Sequence, residues 1–142
     1  MSIDVRGHPD QLRALEGCHV VEGHVQIFLM DQYEKEDFEN LTFPLLVEIT
    51  DYLMFYRING ISSLQQLFPN LAVIRGQRLF KNYALVIYEM FNLQEIGLTS
   101  LTLIDRGSVR IEKNDYLCGA DKIDWTLICN NTSYDEHYIS VS

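Results

Sequence analysis

The feature that most constrains the fold is an internal repeat. Four stretches share an apolar residue, a polar corner containing Gly or Asp, and a short alternating strand. They begin at Val21, Ile49, Ile74 and Ile104, so successive copies start 28, 25 and 30 residues apart. A recurring period of this size is typical of stacked coils that bury their apolar sides against one another. With one short strand per coil, the spacing predicts a mainly β solenoid of parallel strands with short helices, either a right-handed β-helix or a leucine-rich-repeat relative.

Alternation within the strands predicts which side chains face outward, because side chains of a strand point to opposite sides in turn. The residues expected to point into the coil are Val25, Ile27, Leu53, Phe55, Leu85, Ile87, Val109 and Ile111. Their neighbours should then form one outward sheet face: Gln26, Phe28, Met54, Tyr56, Val86, Tyr88, Arg110 and Glu112. An aromatic and aliphatic face bordered by charges is typical of a protein-binding surface, although another element of the chain could equally cover it.

Composition limits the expected partners and compartment. A chain of 142 residues with 47% apolar residues is long enough for one domain with a real core. The net charge of −9 argues against nucleic acid or an anionic membrane surface as a partner. No apolar run approaches the length of a membrane span. The opening Met1-Ser2-Ile3-Asp4 lacks the apolar core of a signal peptide, so we expect a cytosolic protein or an excised fragment.

The cysteines and glycosylation sequons leave that choice open. The chain has three cysteines without a Cys-x-x-Cys spacing: Cys18, Cys118 and Cys129. All three could be buried free thiols. Three sequons make three asparagines candidates for glycosylation: Asn40, Asn130 and Asn131. About one sequon would arise by chance in a chain of this composition, so the signal is weak.

The connectors and the tail carry local signals. Pro9 suits the first position of a helix, and the pattern predicts a short amphipathic helix over residues 9–16. Asp124 can cap a short turn holding Trp125, which we expect to cover the open end of the solenoid. The polar tail over residues 130–142 is expected to be weakly ordered, anchored only by Tyr134, Tyr138 and Ile139.

Catalytic motifs are missing from the sequence. It has no Gly-x-Ser-x-Gly and no His-Glu-x-x-His, and its histidines lack metal-ligand spacing, so we expect no cofactor and no metal site. Parallel β-helices do include polysaccharide-cleaving enzymes, which need clustered charged groups in an outward groove. The outward columns carry only Arg110, Glu112 and Lys113 as charged residues, and this disfavours an enzyme.

A series of longer motifs resembles one family. The motifs are Phe68-Pro69-Asn70-Leu71, Val73-Ile74-Arg75-Gly76, Asn82-Tyr83-Ala84-Leu85-Val86-Ile87, Arg106-Gly107-Ser108-Val109-Arg110-Ile111 and Ile123-Asp124-Trp125. They look like the first leucine-rich (L) domain of the insulin and insulin-like growth factor receptors, and the match runs from Ile3 to about Asp124.

The resemblance implies one non-catalytic, extracellular receptor L domain over residues 1–142, with its coils over residues 18–128. Its central sheet face would bind an insulin-like peptide hormone together with a helical segment from the C-terminal region of the receptor ectodomain. Whole receptors of this family are transmembrane tyrosine kinases and disulfide-linked homodimers. A secreted decoy that sequesters such peptides without signalling is the alternative within the same fold.

Carried over residue by residue, the resemblance implies these contacts: Asp4, Arg6, Gln26, Leu29, Phe38, Tyr56, Phe80, Asn82, Tyr83, Val86, Tyr88, Arg110, Glu112 and Lys113. Several of them lie in the outward columns predicted from alternation alone. Four positions depart from the usual family residues and indicate an altered hormone preference: Gly7, Asp31, Tyr56 and Lys81, the last in place of an aromatic residue.

The resemblance also bears on the cysteines. It places the partner of Cys18 upstream of Ile3 and the usual partner of Cys118 near the end of the domain. Cys129 lies outside the usual pattern, so we expect it either to pair with Cys118 or to be a buried thiol.

Overall fold

The computed structural model of this chain describes residues 1–130 and 136–140. One sheet contains five strands of four to eight residues, β1 Ile3–Arg6, β3 Val25–Met30, β5 Leu53–Ile58, β7 Tyr83–Met90 and β9 Ser108–Glu112, and the two-residue β10 Tyr138–Ile139. The other strands have two residues each: β2 Val20–Val21, β4 Glu48–Ile49, β6 Val73–Ile74 and β8 Leu103–Ile104. All pair in parallel, in two sheets ordered β1-β3-β5-β7-β9-β10 and β2-β4-β6-β8.

This arrangement confirms the predicted parallel β-solenoid, with one correction. Each central coil contributes two strands, one to the larger sheet and one to the smaller sheet, where the repeat predicted a single strand. The second strand was missed because it has only two residues, too few for alternation to be recognised. In each coil, a long connector leads from the larger sheet to the smaller one.

A tight corner leads from each smaller-sheet strand back to the larger sheet, and the corners stack on one another. The backbone N–H of Asp51 donates to the carbonyl of Gly23, and that of Gly76 donates to the carbonyl of Asp51, both at 2.9 Å. Gly76 has a φ of +68°, and a Cβ at that position would lie 2.0 Å from the carbonyl oxygen of Arg106. Only glycine can occupy this corner, because the next coil lies directly against its backbone.

The strands of the larger sheet stack in register, and this fixes the core. Val25 pairs with Leu53, Leu53 with Leu85, and Leu85 with Val109. All eight side chains predicted to point inward are fully buried. Because side chains alternate with a period of two, the same register sends their neighbours outward, as the sequence predicted.

Short helical segments close the two ends of the solenoid. The N-terminal helix is a 3-10 helix, Pro9–Leu15, which buries Pro9, Leu12 and Leu15. At the other end, the predicted cap is confirmed: the carboxylate of Asp124 accepts a hydrogen bond from the backbone of Leu127 at the start of helix α1, Trp125–Ile128. Trp125 is buried and its Nε1 donates to the carbonyl of Ala120 at 3.0 Å. Within the described ranges, no helix is long and apolar enough to cross a membrane.

The larger sheet extends beyond the predicted coils at both ends. Strand β1 pairs with β3, so the sheet begins before residue 18. Strand β10, which lies in the tail that was expected to be weakly ordered, pairs with β9, and the N–H of Ser140 donates to the carbonyl of Ile111 at 2.8 Å. The exposed edge of β9 explains this pairing, because an unpaired edge presents a row of free backbone groups. Tyr134, the other predicted anchor, lies outside the described residues.

Of the two alternatives for Cys129, the structure has the buried thiol and not the bridge to Cys118, since all three cysteines are free. Cys118 is exposed, and its N–H donates to the carbonyl of Gln94 on the connector side of the solenoid. Cys129 is buried and forms an isolated bridge with Ile104, at the edge of the smaller sheet. The turn between the two cysteines thus leads them to different sides of the coil. Burial raises the pKa of the Cys129 thiol to about 11.

The alternation generates a stability prediction. Ile87→Ala should lower the free energy of unfolding by roughly 2–5 kcal/mol, because it removes a fully buried side chain and leaves a cavity. Tyr88→Ala should lower it far less, because this ring points outward. Denaturant unfolding of both variants measures the difference. Equal losses would contradict the alternation.

The cysteine environments generate a prediction on reactivity. In the folded chain at pH 8, Cys118 should react with a thiol reagent at least about tenfold faster than Cys129, because only the thiolate attacks and Cys129 is buried with a raised pKa. Mass spectrometry of partly labelled protein locates the labelled residues. Denaturation should make all three thiols react, and a count of one would instead indicate a disulfide.

Candidate functional site

The outward side of the larger sheet carries a second apolar cluster, separate from the core. We call it the aromatic face, and its members are Tyr52, Met54, Tyr56, Phe80, Tyr83, Val86 and Tyr88. Tyr52, Met54 and Val86 are buried by their neighbours, whereas the other four are partly exposed. Parallel sheets are usually covered on both sides, so an apolar cluster left open to solvent on one of them marks a surface built for contact.

Strand register brings the centre of this face together. Met54 and Tyr56 on β5 lie beside Val86 and Tyr88 on β7. The rings of Tyr56 and Tyr88 are tilted with centroids 5.4 Å apart. Cross-strand pairs of this kind stabilise a sheet and fix the orientation of the rings.

A tight turn just before β7 supplies the edge of the face. Phe80 and Tyr83 donate backbone hydrogen bonds to each other, at 3.0 and 2.9 Å, and Lys81 and Asn82 form the tip between them. The Phe80 ring packs against Tyr52 with centroids 5.9 Å apart. Turn and strands enclose a shallow depression of about 320 Å³, lined by Met54, Tyr56, Phe80, Lys81, Tyr83, Val86, Tyr88 and Arg110.

Charged groups on β9 border the depression. The Arg110 guanidinium donates to one carboxylate oxygen of Glu112 from Nε at 3.0 Å and Nη2 at 2.6 Å. It also lies over the rings of Tyr83 and Tyr138, at 5.7 and 5.1 Å. The hydrogen bond to Glu112 raises the pKa of Arg110. Lys113 lies over the Tyr88 ring at 5.6 Å, and its hydrogen bond with the Tyr88 hydroxyl raises the pKa of the ammonium group.

A polar network forms the opposite corner of the face. One oxygen of Asp4 contacts Nε2 of His24 at 2.8 Å and accepts from Nε2 of Gln26 at 2.7 Å. The Tyr52 hydroxyl donates to Oε1 of Gln26 at 2.5 Å, and the Tyr52 ring stacks on His24. Burial, followed by the charges of Asp4 and Asp51, raises the pKa of Tyr52, so its hydroxyl stays a donor at neutral pH.

A row of left-handed residues forms the third border. Leu29, Arg57, Glu89 and Lys113 have φ values of +56°, +55°, +52° and +59°. They lie side by side, because the residues before them pair across the sheet, and for the first three the residues after them pair as well. Arg57 Nη1 bonds Glu89 Oε2 at 2.8 Å. Non-glycine residues with positive φ are uncommon and tend to cluster where function requires a fixed geometry.

Most predicted contact residues lie on the aromatic face or its borders: Asp4, Arg6, Gln26, Leu29, Tyr56, Phe80, Asn82, Tyr83, Val86, Tyr88, Arg110, Glu112 and Lys113. Phe38 lies off the aromatic face, and its role as a contact stays a prediction. Its side chain is 4% exposed and belongs to the core, where the connector after β3 folds back over the coil.

Sequence reasoning missed two members of the cluster. Met54 was predicted to point outward but was not predicted as a contact. Tyr52 lies just before β5, outside the alternating strand, and so escaped the pattern. Its signal is the repeat itself, because Tyr52 occupies the position that His24 holds one coil earlier and the two rings stack at 4.8 Å.

A larger depression of about 710 Å³ lies beside the face and is mostly polar. Its polar groups already bond one another: Ser108 Oγ donates to the carbonyl of Asn82 at 3.0 Å, and the Asn130 amide donates to Asp105 at 3.3 Å. The aromatic face is therefore the better candidate for binding another protein, because it leaves apolar side chains open to solvent, whereas the polar groups of the larger depression are already paired. In the part of the chain that the structure describes, no group of His, Cys, Asp or Glu residues could hold a metal ion.

Comparison with known proteins shows the family of the chain. Residues 17–129 match the family model described as Receptor L domain. The chain is 54% identical over 138 residues to the insulin-like peptide receptor of Branchiostoma lanceolatum, covering 97% of this chain and 10% of that protein. It is 52% identical over 141 residues to the insulin receptor of Xenopus laevis (99% and 10%) and 54% identical over 127 residues to the insulin receptor-related protein of Mus musculus (89% and 10%). The chain thus spans about one tenth of the length of these relatives.

Proposed function

Because this chain belongs to the receptor L domain family, we propose that it is the hormone-binding L domain of an insulin-receptor-like protein and binds an insulin-like peptide on the aromatic face. Receptor L domains of the insulin receptor family are extracellular, ligand-binding and not catalytic. The observation that carries the proposal is the open apolar cluster on the outer side of the larger sheet. Clustered tyrosine and phenylalanine side chains at the centre of an interface supply most of its affinity.

The geometry of the face favours a helical occupant. Its outward rows run across the strands, such as Phe28, Tyr56, Tyr88 and Glu112 on β3, β5, β7 and β9. Neighbouring strands lie about 4.8 Å apart. This spacing is close to the roughly 5.4 Å rise of one helical turn, so a helix laid across the strands can place one apolar side chain against each. Both a helix of the hormone and the helical segment of the receptor ectodomain meet this requirement.

The polar borders complement an amphipathic partner. Arg110 and Glu112 satisfy each other before binding, so a partner that covers them does not leave a buried charge unpaired. Apolar contact at the centre and polar contact at the edge is the usual anatomy of a protein interface.

Titration with insulin and an insulin-like growth factor tests the proposal directly, with and without a synthetic peptide of the helical segment from a relative's ectodomain. Saturable binding that the segment strengthens is the expected result. Turnover on a panel of polysaccharides without peptide binding would favour the glycan-acting enzyme instead. Receptor and decoy differ beyond Ser142, where a membrane span and kinase motifs would indicate the receptor.

The aromatic face generates a mutational prediction. Tyr83→Ala, or Phe80→Ala, should weaken peptide binding by about 1–3 kcal/mol and leave the thermal transition nearly unchanged. Tyr116→Ala is the matched control, because Tyr116 is 66% exposed and lies off the face. Calorimetric titration and thermal unfolding measure the two effects. Unfolding of the Tyr83 and Phe80 variants without a separable loss of binding would show that these rings serve only the fold.

Extracellular placement generates a prediction on glycosylation, and the structure ranks the candidates. Asn40 and Thr42 are both exposed, in a turn held by Gln66, whose Nε2 donates to the carbonyls of Phe38, Glu39 and Leu41. The turn lies in the connector after β3, away from the aromatic face. The Asn130 amide is already bonded to Asp105, and Asn131 lies outside the described residues.

We therefore expect a glycan on Asn40 when the chain is expressed through a secretory pathway. Enzymatic removal of N-glycans should lower the mass of the unmodified chain, and Asn40→Gln should abolish that change at this site. Asn130→Gln is the matched control and should behave like the unmodified chain. A mass change that survives in the Asn40→Gln chain but vanishes in the Asn130→Gln chain would reverse the ranking.

A further inference from the structure

Lys81 places a positive charge in the lining of an otherwise aromatic and aliphatic depression. It is exposed at the tip of the turn between Phe80 and Tyr83. Its ammonium lies over the Phe80 ring, 6.0 Å from the centroid. Among the ion pairs of the described residues, none includes Lys81.

Both arginines next to the depression are ion-paired within the fold. Arg110, the second cation of the depression, is bound to Glu112 at 2.6 Å. Arg57 on the left-handed border contacts Glu89 at 2.8 Å and Asp31 at 3.5 Å. Lys113 has no ion pair in the described ranges either, but it hydrogen-bonds the Tyr88 hydroxyl near the charges of Glu112 and Glu89. Of the two cations that line the depression, Lys81 is therefore the one without an ion pair among the described residues.

The turn also fixes the backbone of Lys81 next to the depression. Lys81 has a φ of +57°, a conformation that glycine or asparagine adopts with less strain, so the backbone does not require a lysine there. The paired backbone bonds between Phe80 and Tyr83 fix the position of its Cα beside the rings. A partner that covers the depression removes water from the ammonium group, and an ion buried without a counter-charge is strongly destabilising.

We propose that the partner on the aromatic face presents a carboxylate to Lys81, next to the apolar side chains that fill the depression. The inference rests on the proposed function and specifies the chemistry of the bound segment: an apolar helix with an acidic residue at the position facing Lys81. The chain carries a net charge of −9 and therefore repels an acidic segment overall. The positive charge of Lys81 offsets this repulsion locally and fixes which residue of the bound helix faces it.

The test uses the insulin-like peptides of the binding titration and a charge series at residue 81. Lys81→Arg should bind nearly as tightly as the unmodified chain, Lys81→Met more weakly, and Lys81→Glu at least about tenfold more weakly. Lys35→Glu makes the same change in net charge away from the face and should stay within about twofold. Raising the salt concentration should weaken the unmodified chain more than the Lys81→Met chain.

A charge swap then identifies the partner group. Each acidic residue of the bound peptide is changed to lysine in turn, and one such peptide should recover binding to the Lys81→Glu chain. If the peptides bind and Lys81→Glu equals the unmodified chain, Lys81 is a solvated surface residue and this inference is overturned alone. If no peptide binds the unmodified, correctly folded chain, the proposed function and this inference both fail.

Discussion

The structure depends on one constraint, the in-register stacking of apolar side chains inside the coil. Leu53, Leu85 and Val109 lie directly above one another, as do Phe55, Ile87 and Ile111. A slip of one residue would turn each of these fully buried side chains toward water, and each carries roughly 1.5–3 kcal/mol of burial free energy. The register is therefore fixed from inside. The same register produces the aromatic face, because alternation directs the residues between the core positions outward.

The row of left-handed residues lets each strand continue past the point where strict alternation would send the wrong side chain into the core. After Tyr56, strict alternation would direct Arg57 into the core and Ile58 outward. The φ of +55° at Arg57 reverses this order, so that Ile58 is buried and Arg57 lies on the border. A left-handed residue costs roughly 1–2 kcal/mol, whereas an unpaired buried charge costs several kcal/mol, so the distorted backbone is the more stable choice. In the last of these coils, Asn114 occupies the buried position that follows the left-handed residue. Its side-chain oxygen accepts from the N–H of Met90 at 2.8 Å, and its side-chain nitrogen donates to the carbonyl of Ile87 at 3.0 Å.

What the sequence could predict follows from the same physics. The period of the repeat and the alternation of β5 and β7 predicted the solenoid, its buried column and the centre of the face. Tyr52 was missed because it lies outside any alternating strand. The burial of Phe38 in the core was not predicted, since a family match transfers positions and cannot show whether a connector turns a ring inward. The Cys118–Cys129 pairing failed for a related reason, because a short sequence separation does not place two side chains on the same side of a coil.

The proposed function requires a face that is stable both free and bound. Tyr52, Met54 and Val86 pack at its floor, so the apolar area left open belongs mainly to rings whose hydroxyls or edges reach water. The Arg110–Glu112 pair and the Gln26–Tyr52 hydrogen bond already satisfy polar groups at the borders. Under the proposed function, a partner would gain burial over the rings without having to supply partners for these groups. Under the further inference, Lys81 would then be the position at which the face discriminates between partners.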